Sequence, residues 1–390
     1  RGSRHESWSP RLSSPLLLLV LLALLLPPSS SAFALLLHPL PTFALLPHPL
    51  PTRKGNSPRH AMTMQLFGGN APLGDAINSF GRSFLGDRKS EIFLPPESFK
   101  LQATRGQPAT SSWTTVAGRS EGKTKINQDS AIALVPLQQG INMYSVFDGH
   151  GPSGHIIAEF LSENFPRSMK EALTRSQGSQ LPEWVKFAFS QIDYDASEAF
   201  GATALSQSGA TATIVLQDAD SLLVASVGDS RAILAALDGT SISLTTDHNP
   251  ADPTERNRIE ASGGMVSVFP GEPSVEESGK GRVFLQGQSY PGLATSRAFG
   301  DYLAKQAGVT AEPDLKCVKI GKNKVLILAT DGVWDVLDEQ TAVATCLQFY
   351  NNRDAATAAQ VLVDASRMIW EERPGSKATI DDISAVVTFL

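Results

Sequence analysis

The stretch SLLVASVGDSRAILAALDG, residues 221–239, decides the fold class. Its two apolar runs, 221–227 and 232–236, are short and separated by Gly228 and Asp229. Runs of that length, bounded by turn residues, read as strands. The joint between them predicts a β-hairpin or a bent strand pair turning at Gly228–Asp229. The same texture recurs at 143–147, 211–216 and 324–329. Apolar residues at helical spacing mark 154–173, 184–200 and 355–371, the last with Ala359, Leu362, Val363, Ser366, Ile369 and Trp370 on one inner face. Strands come in meander-like groups rather than alternating one by one with helices. That order predicts an α+β fold of antiparallel sheets with helices outside, not a doubly wound parallel sheet. Residues 247–281, rich in Pro, Gly and charge, read as a surface excursion that could serve as a flap beside a site.

A chain of 390 residues holds one large domain or two smaller ones and can bury a substantial core. A net charge of -6 gives no reason to expect nucleic acid as a partner. Two cysteines, Cys317 and Cys346, are too few for a disulfide framework and suit a reducing compartment. Neither has an arginine six positions on, the spacing that one class of cysteine-dependent phosphate-ester chemistry requires: position 323 is Asn, and Arg353 lies seven positions after Cys346. Both thiols are expected to be core or surface groups.

The N-terminal region has its own composition. Arg1, Arg4 and Arg11 precede the apolar run 16–26, and Pro-Pro and small residues follow to Ala32. That is the basic, apolar, small layout of a signal peptide, and the run is short of the roughly 20 residues a membrane span needs. FALLLHPLPT (33–42) is then almost repeated as FALLPHPLPT (43–52), and no Asp or Glu occurs between Ser7 and Gly74. An acid-poor leader with Ser and Arg has the character of a transit peptide. Residues 1–110 are therefore expected to be a targeting leader and linker, signal-like over 1–32 and transit-like over 33–74, ahead of a domain at 111–390. Such a two-part leader points to a plastid. A translation start near Met62 would instead leave a cytosolic protein.

Four aspartates stand at informative places: Asp129 in INQDS, Asp148 in SVFDGHG, Asp331 in LILATDGVWDVL and Asp382 in IDDIS. Three of them end or follow apolar runs that read as buried strands. Carboxylates placed there are costly unless something cationic neutralises them. Hard divalent ions, which take oxygen ligands and keep water, suit such a set, and a pair of them activates water for attack on a phosphate ester. In SVFDGHGPSGH the glycines at 149 and 151 let backbone approach a ligand, so the Gly149 carbonyl joins Asp148 as a candidate ligand.

With these motifs assembled, the chain resembles the metal-dependent protein serine/threonine phosphatases of type 2C. The resemblance is carried, in order, by KTKINQDS, VFDGHGPSG, SGATATIVL, LLVASVGDSRAIL, LTTDHNP, ERNRIEASGGMV, PGLATSRAFGD, VTAEPDL, VLILATDGVWDVL and DDISAVVTFL. It spans roughly residues 114–390. It implies a four-layer αββα sandwich, two antiparallel sheets flanked by helices, with a dimetal site at one end. It implies Mg2+ or Mn2+, two ions with a possible third, sharing a water that becomes the attacking hydroxide. Asp148 would bridge the two ions and the Gly149 carbonyl would complete the first site, Asp331 and Asp382 would hold the second ion, and Asp229 with Asp331 would serve a weak third site. Asp129, beside Gln128, would act through bound water. His150 is the expected general acid, because imidazole titrates in the right range. The resemblance implies an arginine for the substrate phosphate at position 124, which here is Thr; Lys123 and Lys125 flank it and are the candidates left, without the fork of Arg. Phosphoprotein substrates, no nucleic acid, no stable span in the mature protein and a monomer are the partner expectations. Arg297, Asp301 and His248 read as local structure; Thr211 matches a hydroxyl near the third metal position, or is a packed strand residue. The alternatives are a phosphatase of a small phosphorylated metabolite and a catalytically weak binding module.

Overall fold

Along the strand Asn142–His150, Met143 and Phe147 join one apolar cluster while Tyr144 and Val146 join another. The same parity holds in Ala212–Gln217, where Ile214 and Leu216 face one way and Val215 the other. In Asn323–Ala329, Val325 and Ile327 separate from Leu326 and Leu328. Successive side chains of a strand point to opposite faces, so each strand feeds two cores. Their near-continuous apolar character follows, because both faces are covered.

The structure is a computed structural model that describes residues 110–137, 140–176, 181–373 and 379–390. The leader expected over 1–110 lies outside the described residues, Thr110 apart. One sheet runs in the order Ser111–Val116, Ile383–Phe389, Asn323–Ala329, Arg231–Ala236, Ser241–Ser243, all antiparallel. The other runs Phe299–Gly300, Gly209–Ala210, Asn142–His150, Ala212–Gln217, Ser221–Val227, Asp314–Lys319, with Asp129–Pro136 also paired to Asn142–His150. Tyr144, Val215, Val224, Leu234, Leu326 and Val386 fill the space between the sheets. Helices Gly154–Arg175 and Leu181–Phe200 cover the outer face of the second sheet through Ile157, Leu161, Phe165 and Phe189. Helices Glu339–Leu347 and Ala355–Glu372 cover the first through Val343, Leu362 and Val363. The four layers expected from the sequence are all present. Among the described residues no helix is long and apolar enough to cross a membrane.

The turn at Gly228–Asp229 departs from expectation. Ser221–Val227 and Arg231–Ala236 do not pair with each other; they lie in different sheets. Both edges of the first are taken by Ala212–Gln217 and Asp314–Lys319, and both edges of the second by Ser241–Ser243 and Asn323–Ala329. Gly228, at φ 99°, turns the chain out of one sheet toward the other. Asp229 is therefore delivered to the seam between the sheets.

The excursion also holds more structure than its composition suggested. Gly264–Ser267, Arg282–Leu285 and Pro291–Leu293 form a small antiparallel sheet. Helix Pro253–Ala261 starts on Asp252, whose carboxylate accepts from the Thr254 and Glu255 amides. A separate core joins Ile259 and Val266 to Val283, Ala298, Ala304, Ala307 and Val309. Most of those residues lie beyond position 281, which is why a reading of 247–281 alone found few core positions.

Candidate active site

Antiparallel pairing brings strand starts and strand ends to one edge, and the acidic residues collect there. Asp129 opens Asp129–Pro136 and pairs in register with Asp148, near the end of Asn142–His150. Asp229 follows Ser221–Val227, Asp331 follows Asn323–Ala329, and Asp381 and Asp382 precede Ile383–Phe389. A cavity of about 410 Å³ opens on this edge, lined among others by Asp148, Gly149, His150, Asp229, Asp331 and Asp381. Gly149 has no room for a side chain there: a Cβ would stand 2.4 Å from the Gly154 carbonyl oxygen and 2.5 Å from that of Gln128.

The carboxylates are held unequally. Asp129 Oδ2 accepts from Ser384 Oγ at 2.6 Å and Thr330 Oγ1 at 3.0 Å, while its buried Oδ1 has no partner among the described residues. Asp331 Oδ1 is likewise buried without a partner. Desolvation pushes Asp129 up to about 7 against the hydrogen bond from Ser384, with Asp382 and Asp381 adding repulsion. Desolvation also holds Asp148 well above the ordinary carboxylate range, with Asp129, Asp331, Asp381 and Asp229 adding to it. Asp331 is raised by the same burial and by Asp229, Asp381 and Asp335. Asp229 rises through burial and Asp247. A set of mutually repelling, desolvated carboxylates with orphaned oxygens fits a divalent cation, which prefers an all-oxygen site. Among the described residues no three metal-ligating side chains are already drawn in to one point.

His150 sits at the edge of the carboxylates, with Nε2 2.5 Å from Asp301 Oδ2. Burial pushes the imidazole down, but Asp301 outweighs it through charge and hydrogen bonding, so the His150 pKa is raised overall. The ring is fixed on one nitrogen and leaves Nδ1 for other work. Asp301 is a buried residue in left-handed backbone, φ 47°, with its amide donating to the Ser208 carbonyl at 2.9 Å. A non-glycine residue in that region is held there by its surroundings. Gly209 makes the space: a Cβ on it would lie 2.1 Å from Asp301 Oδ2.

The fold has known counterparts. The protein phosphatase 2C family model matches residues 117–369. The chain belongs to the protein phosphatase 2C family. Two Arabidopsis thaliana relatives, "Probable protein phosphatase 2C 72" and "Probable protein phosphatase 2C 41", are 34% and 35% identical. Each alignment covers 69% of this chain, and 83% and 80% of the relatives respectively. A solved serine-threonine phosphatase 2C from Toxoplasma gondii superposes with a TM-score of 0.56 at 23% identity, over 73% of this chain and 97% of that one. This phosphatase 2C is accordingly a protein serine/threonine phosphatase acting on phosphoproteins, in a family dependent on Mg2+ or Mn2+.

Within this phosphatase 2C the expected site residues divide. Asp148, Gly149, His150, Asp229 and Asp331 line the cavity, and Asp129 lies behind it. Asp382 does not face it. Its Oδ1 accepts from the Gly118 amide at 2.6 Å and its Oδ2 from the Gln128 amide at 2.9 Å. That makes Asp382 a buried acceptor for two backbone amides, and its neighbour Asp381 is the one that lines the cavity. Asp381 lines the cavity and, among the described residues, takes the Lys125 ammonium at 2.7 Å and the Asp382 amide at 2.9 Å, both on Oδ1. Lys125 lines the cavity; exposed Lys123 does not. Thr211 Oγ1 accepts from the Asp148 amide at 3.2 Å and pairs with Ser230 Oγ at 2.8 Å, so it steadies the Asp148 backbone. Arg297 binds Glu255 and Asp314, and His248 Nδ1 accepts from the Gly228 amide, both as structural groups. Three further residues stand at or near this cavity: Asp381 beside Asp382, Asp335 one helical turn after Asp331, and Asp301, read from sequence as loop structure and here paired with His150.

Proposed function

We propose that Asp148, the Gly149 carbonyl, Asp331 and Asp381 hold two divalent ions, Mg2+ or Mn2+, and that Asp229, Asp331 and Asp335 offer a weaker third position. The observation that carries this reading is the gathering of desolvated carboxylates at one cavity, with orphaned buried oxygens on Asp331 in its wall and on Asp129 behind it. Bound there, the ions would lower the pKa of a water toward neutrality, supply hydroxide for attack on phosphorus and screen phosphate charge.

The residues of the chain do the rest. Asp129, fixed by Ser384 and Thr330, keeps one oxygen facing inward to orient water. His150, held on Nε2 by Asp301, supplies a proton to the departing serine or threonine oxygen, which is a poor leaving group without one. Lys125 neutralises part of the charge of Asp381 and of buried Asp382, whose oxygen lies 3.3 Å from the ammonium.

The test is release of phosphate from a phosphothreonine peptide by the full chain with Mn2+ or Mg2+, compared with chelated protein and with Asp148→Ala. Turnover that needs the ion and disappears in the variant is expected. Equal turnover in Asp148→Ala would sink the reading.

A further inference from the structure

Three side chains that carry or can carry positive charge line the active-site cavity: Lys125, His150 and Arg282. Lys125 is committed, 2.7 Å from Asp381 and 3.3 Å from Asp382. His150 is committed to Asp301. Arg282 is placed differently. It opens the strand Arg282–Leu285 of the small sheet and reaches the cavity from the excursion. Its Nη1 donates to the Gly292 carbonyl at 3.0 Å, and its guanidinium lies 4.9 Å above the Phe269 ring. Its Nε stands 3.6 Å from Glu272 Oε2, longer than a hydrogen bond. Nη2 has no hydrogen-bond partner among the described residues.

The support behind this guanidinium is built. Phe269 packs edge-on against Phe284 with ring centres 5.5 Å apart. Gly292 is in left-handed backbone, φ 73°, and a Cβ there would stand 2.4 Å from the Phe269 ring. A fork fixed on a carbonyl and an aromatic face loses little freedom when it binds an anion. Its planar donors match phosphate oxygens better than an ammonium does. Thr124, where the resemblance implied an arginine, is exposed and does not line the cavity, and neither does Lys123.

We propose that Arg282 grips the substrate phosphate, so that the phosphate-binding cation of this enzyme is carried by the excursion and not by the first acidic motif. The inference rests on the phosphatase reading of the same cavity. It has a structural consequence: phosphate affinity depends on Phe269, which does not line the cavity but sets where Arg282 stands.

Inorganic phosphate, the product of the reaction, is the probe. Its binding to the full chain loaded with Mn2+ is followed by titration calorimetry for the wild type, Arg282→Met, Arg282→Lys and Phe269→Leu. Losing a charged hydrogen-bond donor should weaken phosphate by about tenfold or more in Arg282→Met. Arg282→Lys, which keeps charge and stem, should fall between, and Phe269→Leu should weaken binding in the same direction. Mn2+ affinity should not move, and with a phosphopeptide KM should rise more than kcat falls. Phosphate bound equally well by wild type and Arg282→Met, or not bound by the wild type at all, overturns the inference. A wild type that binds phosphate through Arg282 yet turns over no phosphopeptide would count against the catalytic reading and leave the role of Arg282 standing.

Discussion

Replacing Asp129 with Asn separates the electrostatic cost of the site from its chemistry. In the folded chain Asp129 titrates near 7, against 3.8 for an ordinary aspartate, mainly because its surroundings desolvate it. Its favourable contribution is complete below pH 3.8, where folded and unfolded chains both hold the proton, and drains away as pH rises to about 7. At roughly 1.4 kcal/mol per unit of pH, the whole loss is about 4 kcal/mol, an upper figure for a residue that keeps some solvent contact. Asn cannot ionise. It keeps an oxygen to accept from Ser384 or Thr330, while its amide needs a new acceptor at a cost of about 1–3 kcal/mol. That cost does not vary with pH, so the slope carries the test and the absolute stability does not. Urea denaturation with a chelator present should show the advantage of wild type over Asp129→Asn falling by about 3 kcal/mol between pH 5 and pH 8, most of it below pH 7. Saturating Mn2+ should flatten the wild-type curve, because the ion replaces the proton as the neutralising charge. Two parallel curves in chelator across that range would refute the argument, since Asp129 would then ionise alike in both states.

The remaining predictions concern function. Asp381→Asn should weaken Mn2+ binding by at least about tenfold in a metal titration. Asp382→Ala should instead lower unfolding stability by about 2–4 kcal/mol, because the Gly118 and Gln128 amides lose their acceptor; the reverse pattern would restore Asp382 as the ligand. His150→Ala should cut kcat on a phosphothreonine peptide by about 10²–10⁴ and far less on p-nitrophenyl phosphate, whose leaving group needs no proton. Asp301→Asn should show the same split to a smaller degree, and equal losses on both substrates would remove His150 from proton transfer. Gly209→Ala places a methyl group on the Asp301 carboxylate and should reproduce the Asp301→Asn kinetics; unchanged kcat would show that the pair tolerates displacement.

The layers were readable because alternation is local. Val325 and Leu326 point to different cores by their position in one strand, and no distant residue is needed to know it. The acidic landmarks were readable for a related reason: a carboxylate at the end of a doubly buried strand has few explanations. What escaped was settled over distance. The hairpin at Gly228–Asp229 failed because strands from elsewhere had already taken both edges of each run. Asp301 meets His150 across 151 positions, so its motif alone could not reveal the pairing. Adjacent Asp381 and Asp382 expose the limit most clearly. At the entrance to a strand, two neighbouring carboxylates point in different directions, and local sequence does not say which one faces the cavity. The amides of Gly118 and Gln128, 264 and 254 positions away, decide it by filling both oxygens of Asp382. A carboxylate whose oxygens are already satisfied by backbone amides gains little from a cation, which is why we propose Asp381, whose Oδ2 has no partner among the described residues, as the ligand rather than Asp382.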